Sequence, residues 1–354
     1  MKSLFSKKAS TVVGLDIGTK FVKGVCLDMT NPTIEIMGFA SEPIVGVAFN
    51  ERDVQDYDAV GKAIRKVTNA LKSKSKDVVL AVAGSNVISK KVYMDNDQTD
   101  YEMEVQIELE ADSLIPYPLE EVYLDFEQLG EKESHPDKVE VLLSTAHRDI
   151  IDKRITLVRE ASLEPIIVDI ETNALADALI QFSHADVDDM QVVINVGASI
   201  MQICVVENGE VIYVKEHSFG ANMFVQELAL MHALEIQEIE RQIADGTAPE
   251  IWFKDSLSSF IASLQQQIHR ALQMFVSATH RNMPSHIFLT GGVGALPNIA
   301  IELSNDMNMR VELFNPFHDI AVYNENDKTT LSVMGPQYAI AAGLASRRLS
   351  QWQG

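Results

Sequence analysis

Two segments of this chain, 179 residues apart, carry one pattern: an apolar strand, a polar residue, a glycine turn and a second apolar strand. The first reads Thr11-Val-Val-Gly-Leu-Asp-Ile-Gly-Thr-Lys20 and continues Phe21-Val-Lys-Gly-Val-Cys-Leu-Asp28. The second reads Gln191-Val-Val-Ile-Asn-Val-Gly-Ala-Ser-Ile200 and continues Met201-Gln-Ile-Cys-Val-Val-Glu207. Placing Asp16 on Asn195 also places Gly18 on Gly197, with no gap in the flanking strands. A repeat at half the chain's length suggests two like halves facing each other across a cleft. In such a setting the turns act as phosphate loops, because glycine admits a phosphate to the backbone and successive N–H groups form an anion-binding nest.

The chain has 354 residues, enough for two or more domains, each with its own core. Its formal charge of −22 is spread along the sequence and no basic stripe is present, which argues against a nucleic-acid partner. Cys26 and Cys204 lie in apolar runs at corresponding strand positions, with no CxxC or Cys/His cluster to bind a metal. Both read as buried small hydrophobes, and the lack of a disulfide framework fits a reducing compartment. Residues 1–10 are expected to form a basic, solvated tail, since Met1-Lys-Ser-Leu-Phe-Ser-Lys-Lys8 lacks the apolar stretch of a signal peptide. No apolar run reaches the roughly 18 residues that span a bilayer. A cytoplasmic location follows as an expectation.

Strand patterns occur at 11–16, 21–28, 33–39, 77–82, 121–127, 139–144, 165–169, 191–195, 201–206, 210–214 and 286–290. Each half opens with a β-meander: Asn208-Gly209 marks a tight hairpin turn in the second, and Asp28-Met-Thr-Asn-Pro32 serves in the first. A helix is expected over 99–115, with Thr99 and Glu102 as a capping box and Pro116 as its stop. Its carboxylates read as a solvated face, not a metal site. A second helix, 256–279, aligns Leu257, Phe260, Ile261, Leu264, Ile268, Ala271 and Phe275 on one stripe.

In the first hairpin Asp16 sits at the strand end, placed to orient a metal-bound water, with Gly18 in the turn. The Thr19 hydroxyl and the Lys20 ammonium are then aimed at terminal phosphates. One such turn is more often a plain hairpin; a second copy at constant offset reverses that judgement. Asn195, Gly197, Ala198 and Ser199 form the matching loop. Gly291, Gly292 and Val293 follow strand 286–290 and offer a flat floor for a base or ribose. The small-residue stretch Gly335–Leu344 allows close helix packing.

Together Asp16-Ile-Gly-Thr19, Val168-Asp-Ile-Glu171, Val196-Gly197, Gly291-Gly292 and Ala341-Ala-Gly343 resemble the five nucleotide-site segments of the actin, heat-shock-chaperone and sugar-kinase superfamily. Within it, the chain resembles the PilM family of type IV pilus assembly proteins, a branch related to the division protein FtsA. The residues that carry this resemblance are Ala81-Val-Ala-Gly-Ser85 with Lys90, Gln106–Asp112, Ile115-Pro-Tyr-Pro-Leu-Glu-Glu-Val122, Asp125-Phe126, Val139–Leu143 and Asn315-Pro-Phe317.

The resemblance implies an α/β, actin-like (ribonuclease H-like) duplicated fold, two halves around a nucleotide cleft, with an FtsA-type inserted subdomain. The implied boundaries are 11–88 and 166–190 for the first core domain and 89–165 for the insertion. The second core domain would take 191–220 and 285–354, and a helical subdomain 221–284. It implies ATP with Mg2+ as cofactors, Asp16 being the metal-side residue. It also implies capture of the cytoplasmic N-terminal peptide of the inner-membrane protein PilN, in a groove drawing on Ala83, Gly84, Ser85, Val87, Ile88, Ile115, Pro116, Tyr117 and Pro118. A Pro-rich turn beside a strand suits an extended peptide. Contacts with other inner-membrane and motor components of the pilus machine, and self-association, are further expectations. Membrane association would come peripherally, through the partner; the C-terminal segment 345–352 is too short for firm interfacial binding.

One departure separates two function classes. Asn195 stands where the superfamily has an acid; it keeps the size but loses the charge that organises a divalent ion and its water. Asp169 and Glu171 remain as the nearby acids for water activation. An ATP-binding scaffold and an active ATPase or small-molecule kinase are the alternatives. A kinase needs a general base beside an acceptor pocket, and no motif supplies one. The scaffold is favoured, with ATPase activity expected to be weak or nil and no catalytic residue assigned.

Overall fold

The computed structural model describes residues 11–29, 34–132, 135–183, 190–244, 247–324 and 327–347. The basic tail 1–10, the turn at 30–32 and the last residues of the C-terminal segment lie outside these. In chain order the first half contains β1 (Thr11–Ile17), β2 (Phe21–Asp28), β3 (Glu35–Pro43), β4 (Phe49–Asn50), β5 (Asp53–Val54), α1 (Tyr57–Leu71) and β6 (Asp77–Val82). Then come β7 (Val87–Asp95), α2 (Asp100–Leu114), β8 (Val122–Lys132), β9 (His135–His147), α3 (Arg148–Glu160), β10 (Glu164–Ile170) and α4 (Glu171–Phe182). The second half begins with β11 (Gln191–Val196), β12 (Met201–Glu207), β13 (Glu210–His217), α5 (Asn222–His232), α6 (Ile236–Ala244) and α7 (Glu250–Thr279). It ends with β14 (His286–Gly291), α8 (Ile299–Met307), β15 (Arg310–Leu313), β16 (Ala321–Val322), α9 (Lys328–Met334) and α10 (Ala339–Ser346).

The repeat becomes two sheets of one topology. The first runs β10-β6-β1-β2-β3 with β16 added at its edge, and the second runs β15-β14-β11-β12-β13. In each, an antiparallel meander continues through parallel strands whose crossovers contain helices. The registers match residue for residue: Asp16 faces Lys23 across β1 and β2, and Asn195 faces Gln202 across β11 and β12. In both turns the glycine N–H closes the hairpin, Gly18 on Phe21 O at 3.0 Å and Gly197 on Ile200 O at 2.9 Å.

Between the sheets lie α4 and α10, contributing Ala174, Leu175, Ala178, Leu179, Ile340 and Leu344 to a core shared with Val12, Val79, Val193 and Phe288. The outer face of the first sheet is covered by apolar residues of α1 and α3, and that of the second by α5, α7 and α8. The small residues let α10 lie close: a Cβ on Gly14 would stand 2.1 Å from Ala341 O, and one on Gly343 would stand 1.7 Å from Ala174 O.

A separate three-stranded sheet, β7-β9-β8, packs Met94, Val139, Val141 and Leu143 under Met103 and Ile107 of α2. The capping box is formed: Thr99 N–H donates to Glu102 Oε2 at 2.9 Å and Glu102 N–H to Thr99 Oγ1 at 3.3 Å. Three expectations are corrected. β7 is an additional strand, hard to read because Ser89, Lys90 and Lys91 are exposed on it. Helix α7 begins at Glu250, just after Pro249, six residues before the apolar stripe suggests. The cysteines, both buried, do not occupy corresponding positions: Cys26 packs in the outer core of the first half, whereas Cys204 faces the core between the sheets. A one-residue offset reverses the face of a strand residue. Burial raises both thiol pKa values, that of Cys204 to about 12.

Candidate functional site

The two glycine turns meet across the cleft. Thr19 Oγ1 lies 3.5 Å from Ser199 Oγ, so the hydroxyls of the paired loops touch. The second loop is braced by the start of α5, where Asn222 N–H donates to Ala198 O at 2.8 Å and Asn222 Nδ2 to Ser199 Oγ at 3.0 Å. The first is braced by Ile44, whose N–H donates to Lys20 O at 2.8 Å. Lys20 Nζ reaches over to Glu240 Oε1 of α6, 2.9 Å away. The turn glycines spend their own N–H groups inside the hairpins, so Gly18 and Gly197 give a ligand space and not those donors.

Gly291 ends β14 against the second loop, with φ of 95° and an imagined Cβ only 2.6 Å from Asn195 Oδ1. That combination of a left-handed backbone and contact demands glycine. Gly292 is open, as a floor requires. Val293 is a correction: its side chain is fully buried in the core, so only its backbone can face the cleft.

Behind the loops lies a charged cluster. Asp16, buried at the end of β1, is 3.4 Å from Lys23 Nζ. Burial raises its pKa, with Lys23 opposing and Glu171 reinforcing. Arg154 of α3, also buried, donates to Ile17 O at 2.9 Å; burial lowers its pKa while Glu171 and Asp16 support its charge. Arg52, from the β4–β5 turn, donates Nη1 to both oxygens of Glu171 at 3.0 and 2.9 Å, and its Nη2 lies 3.7 Å from Glu216 Oε1. In the second half Asn195 Nδ2 donates to Gln202 Oε1 at 2.8 Å. Gln202 Nε2 then donates to Glu171 Oε2 at 2.8 Å and Glu216 Oε1 at 3.1 Å. The duplicated position therefore carries an ion pair, Asp16–Lys23, in one half and an amide pair, Asn195–Gln202, in the other. Loss of the acid is matched by loss of the base facing it.

These contacts decide what the site can hold. Hydroxyls, a lysine and glycine space fit phosphate. A divalent ion needs carboxylate oxygens free to coordinate it. Asp16 is paired with Lys23, and Glu171 and Glu216 are engaged by Arg52 and Gln202. Among the described residues no group of three or more His, Cys, Asp or Glu side chains is arranged to hold a metal. The residues present do not fit a Mg2+ ion held between the halves by the protein itself. Asp169 is likewise corrected as a water activator: it lies on β10 in an ion pair with Arg347, just past the end of α10, 2.9 Å away.

The stretches assigned to a partner peptide converge at one end of the three-stranded sheet. Ala83 and Gly84 lead into β7, where Val87 faces Ala146 and Ile88 faces Thr145. Ile115 packs on Val122, and the Tyr117 ring lies 4.4 Å from that of His147. Lys90 Nζ ties the groups together by donating to Leu114 O at 3.2 Å. Ser85 is the middle residue of a short turn, Gly84–Asn86, while Pro116 and Pro118 flank Tyr117. Strand β7 is the edge of its sheet, with only β9 beside it among the described residues. Gly84 also approaches the charged cluster, an imagined Cβ standing 3.5 Å from Glu216 Oε1.

Arg52, Gln202, Glu216 and Glu240 are site residues that sequence reasoning missed. Gln202 was readable, because it stands at the same offset from Lys23 as Asn195 from Asp16. Arg52 carried no local signal.

Comparison with known proteins bears on the family and the fold. The family model described as type IV pilus assembly protein PilM matches residues 14–349. A solved structure described as the PilM-PilN type IV pilus biogenesis complex aligns with a TM-score of 0.79 at 23% identity, over 96% of this chain and 99% of that one. The ethanolamine utilization protein EutJ from Carboxydothermus hydrogenoformans aligns with a TM-score of 0.55 at 14% identity, over 95% of this chain and 89% of that one. The fold is actin-like.

Proposed function

The chain belongs to the PilM family of type IV pilus assembly proteins, and we propose that it serves that machine as a nucleotide-binding scaffold. In this reading ATP bridges the paired loops and stabilises one closure of the cleft. The output is a protein contact: the end of β7 and the 115–118 turn take the cytoplasmic N-terminal peptide of a PilN-type partner. The protein is cytoplasmic and reaches the inner membrane through that partner.

The observation that carries the scaffold over an ATPase or kinase is the state of the cleft carboxylates. Asp16, Glu171 and Glu216 are each paired with a resident cation or amide, Glu171 at both oxygens, an arrangement that suits holding the halves together rather than accepting a substrate proton. An unpaired sheet edge beside an apolar turn supports peptide capture, since main-chain pairing supplies affinity and neighbouring side chains supply selectivity. So does the described complex of a structural relative with its PilN.

Calorimetric titration of the full chain with the partner's N-terminal peptide, with and without ATP, tests this. One-site binding is expected, with negligible phosphate release. No peptide binding in either state would sink the scaffold reading, and rapid phosphate release abolished by Asp16→Ala would favour the enzyme.

A further inference from the structure

The charged cluster behind the loops is balanced. Its carboxylates, Asp16, Glu171 and Glu216, are met by Lys23, Arg52 and Arg154. Arg52 is the central cation. It comes from a turn in the first half, chelates Glu171 at the head of α4 and reaches Glu216 of the second half. Asp16 also feels its charge. A divalent ion bridging the halves would require the oxygens that this guanidinium occupies. Gln202, itself held by Asn195, donates from the other side to Glu171 Oε2 and Glu216 Oε1, two of the oxygens that Arg52 also meets. Arg52 Nε is buried and makes no hydrogen bond, so the group retains a donor, which suits an anion and not a second cation.

We propose that Arg52 is the cleft's built-in cation: it takes the position between Glu171 and Glu216 that a divalent ion would need, and phosphate binding at the paired loops therefore requires no metal. The phosphate half of this statement rests on the nucleotide reading above; the cation half does not. Guanidinium is permanently charged and matches carboxylate geometry in two bonds, so it fills the role at any physiological pH and magnesium concentration. It also joins the halves, as a bridging ion would.

Two measurements on the full chain test this. In the first, Mn2+ alone is titrated and followed by electron paramagnetic resonance. Wild type should show only weak background Mn2+ binding, whereas Arg52→Gln, which frees Glu171 and Glu216, should gain one site at least about tenfold tighter than that background. A folded Arg52→Gln chain that gains no Mn2+ site overturns the proposal. So does a wild-type Mn2+ site that Glu171→Gln abolishes. In the second, ATP binding to wild type is compared in EDTA and in Mg2+, an arm that needs no variant to fold. Affinities equal within about twofold are expected, because the cation is covalently part of the chain. Binding abolished by EDTA overturns the proposal while leaving the nucleotide reading intact. Absence of ATP binding in both conditions sinks the nucleotide reading, and the Mn2+ titration then decides the role of Arg52.

Discussion

Asp177 illustrates how one buried side chain can set a pH dependence. It lies on α4 beneath the end of α10, where Arg347 donates Nη1 to its Oδ2 at 3.0 Å while the Arg347 Nε lies 2.9 Å from Asp169. Burial raises the Asp177 pKa to about 6; Arg347 opposes this and the neighbouring Asp169 reinforces it. A native pKa above the ordinary value of 3.8 means that the folded chain binds this proton more readily than the unfolded one. The contribution is thus fully present below the unfolded value and is lost as pH rises through the folded one. Relative to Asp177→Asn, wild type should lose about 2 kcal/mol between pH 4 and pH 7, because each unit of pKa difference is worth about 1.4 kcal/mol. Urea denaturation of both proteins at the two pH values measures the difference. Parallel pH profiles would show that the carboxyl is not perturbed.

Among the elements, α10 is the most tightly constrained. Its glycine at position 343 lets the helix rest on the α4 backbone, and the 1.7 Å separation between an added Cβ and Ala174 O leaves no room for any other residue. The obstacle is backbone, so no rotamer change relieves it. Gly343→Ala should cost about 3 kcal/mol despite the better helix propensity of alanine, measurable as an earlier urea midpoint; an unchanged midpoint would mean the helices separate freely. Such elements also show what a sequence discloses. The hairpins were legible because apolar alternation and glycine turns are local, and α2 because its capping box is contained within four residues. The edge strand β7 was not, since its stretch Ile88–Lys91 is exposed on both faces and carries no apolar alternation. The paired loops were legible through their repetition. Arg52 was not, because its meaning depends on Glu171 and Glu216, far away in sequence and brought to it only by the fold.

At the scale of the molecule, contacts of unequal depth join the halves across the cleft. Gln202–Glu171 is deepest, with Arg52–Glu216 beside it, Thr19–Ser199 lies at the loops, and Lys20–Glu240 is nearest the surface, with side chains 31% and 28% exposed. The outermost pair bears directly on ligand entry. For Lys20 to meet a phosphate it must leave Glu240, so α6 competes with the nucleotide for the same ammonium. An ion pair this accessible is worth at most about 1 kcal/mol, which corresponds to roughly fivefold in affinity. Glu240→Gln should therefore tighten ATP binding by about two- to fivefold in calorimetry. The same change of charge at the exposed Glu160, the last residue of α3, should leave affinity nearly unaltered, since it makes no pair with Lys20 and salt screens exposed charges. If both variants tighten binding equally, the gain comes from net charge alone and Lys20 is not held back by α6. If only Glu240→Gln does, closing the cleft and binding nucleotide draw on one lysine, and the pair tunes how readily the halves open to admit it.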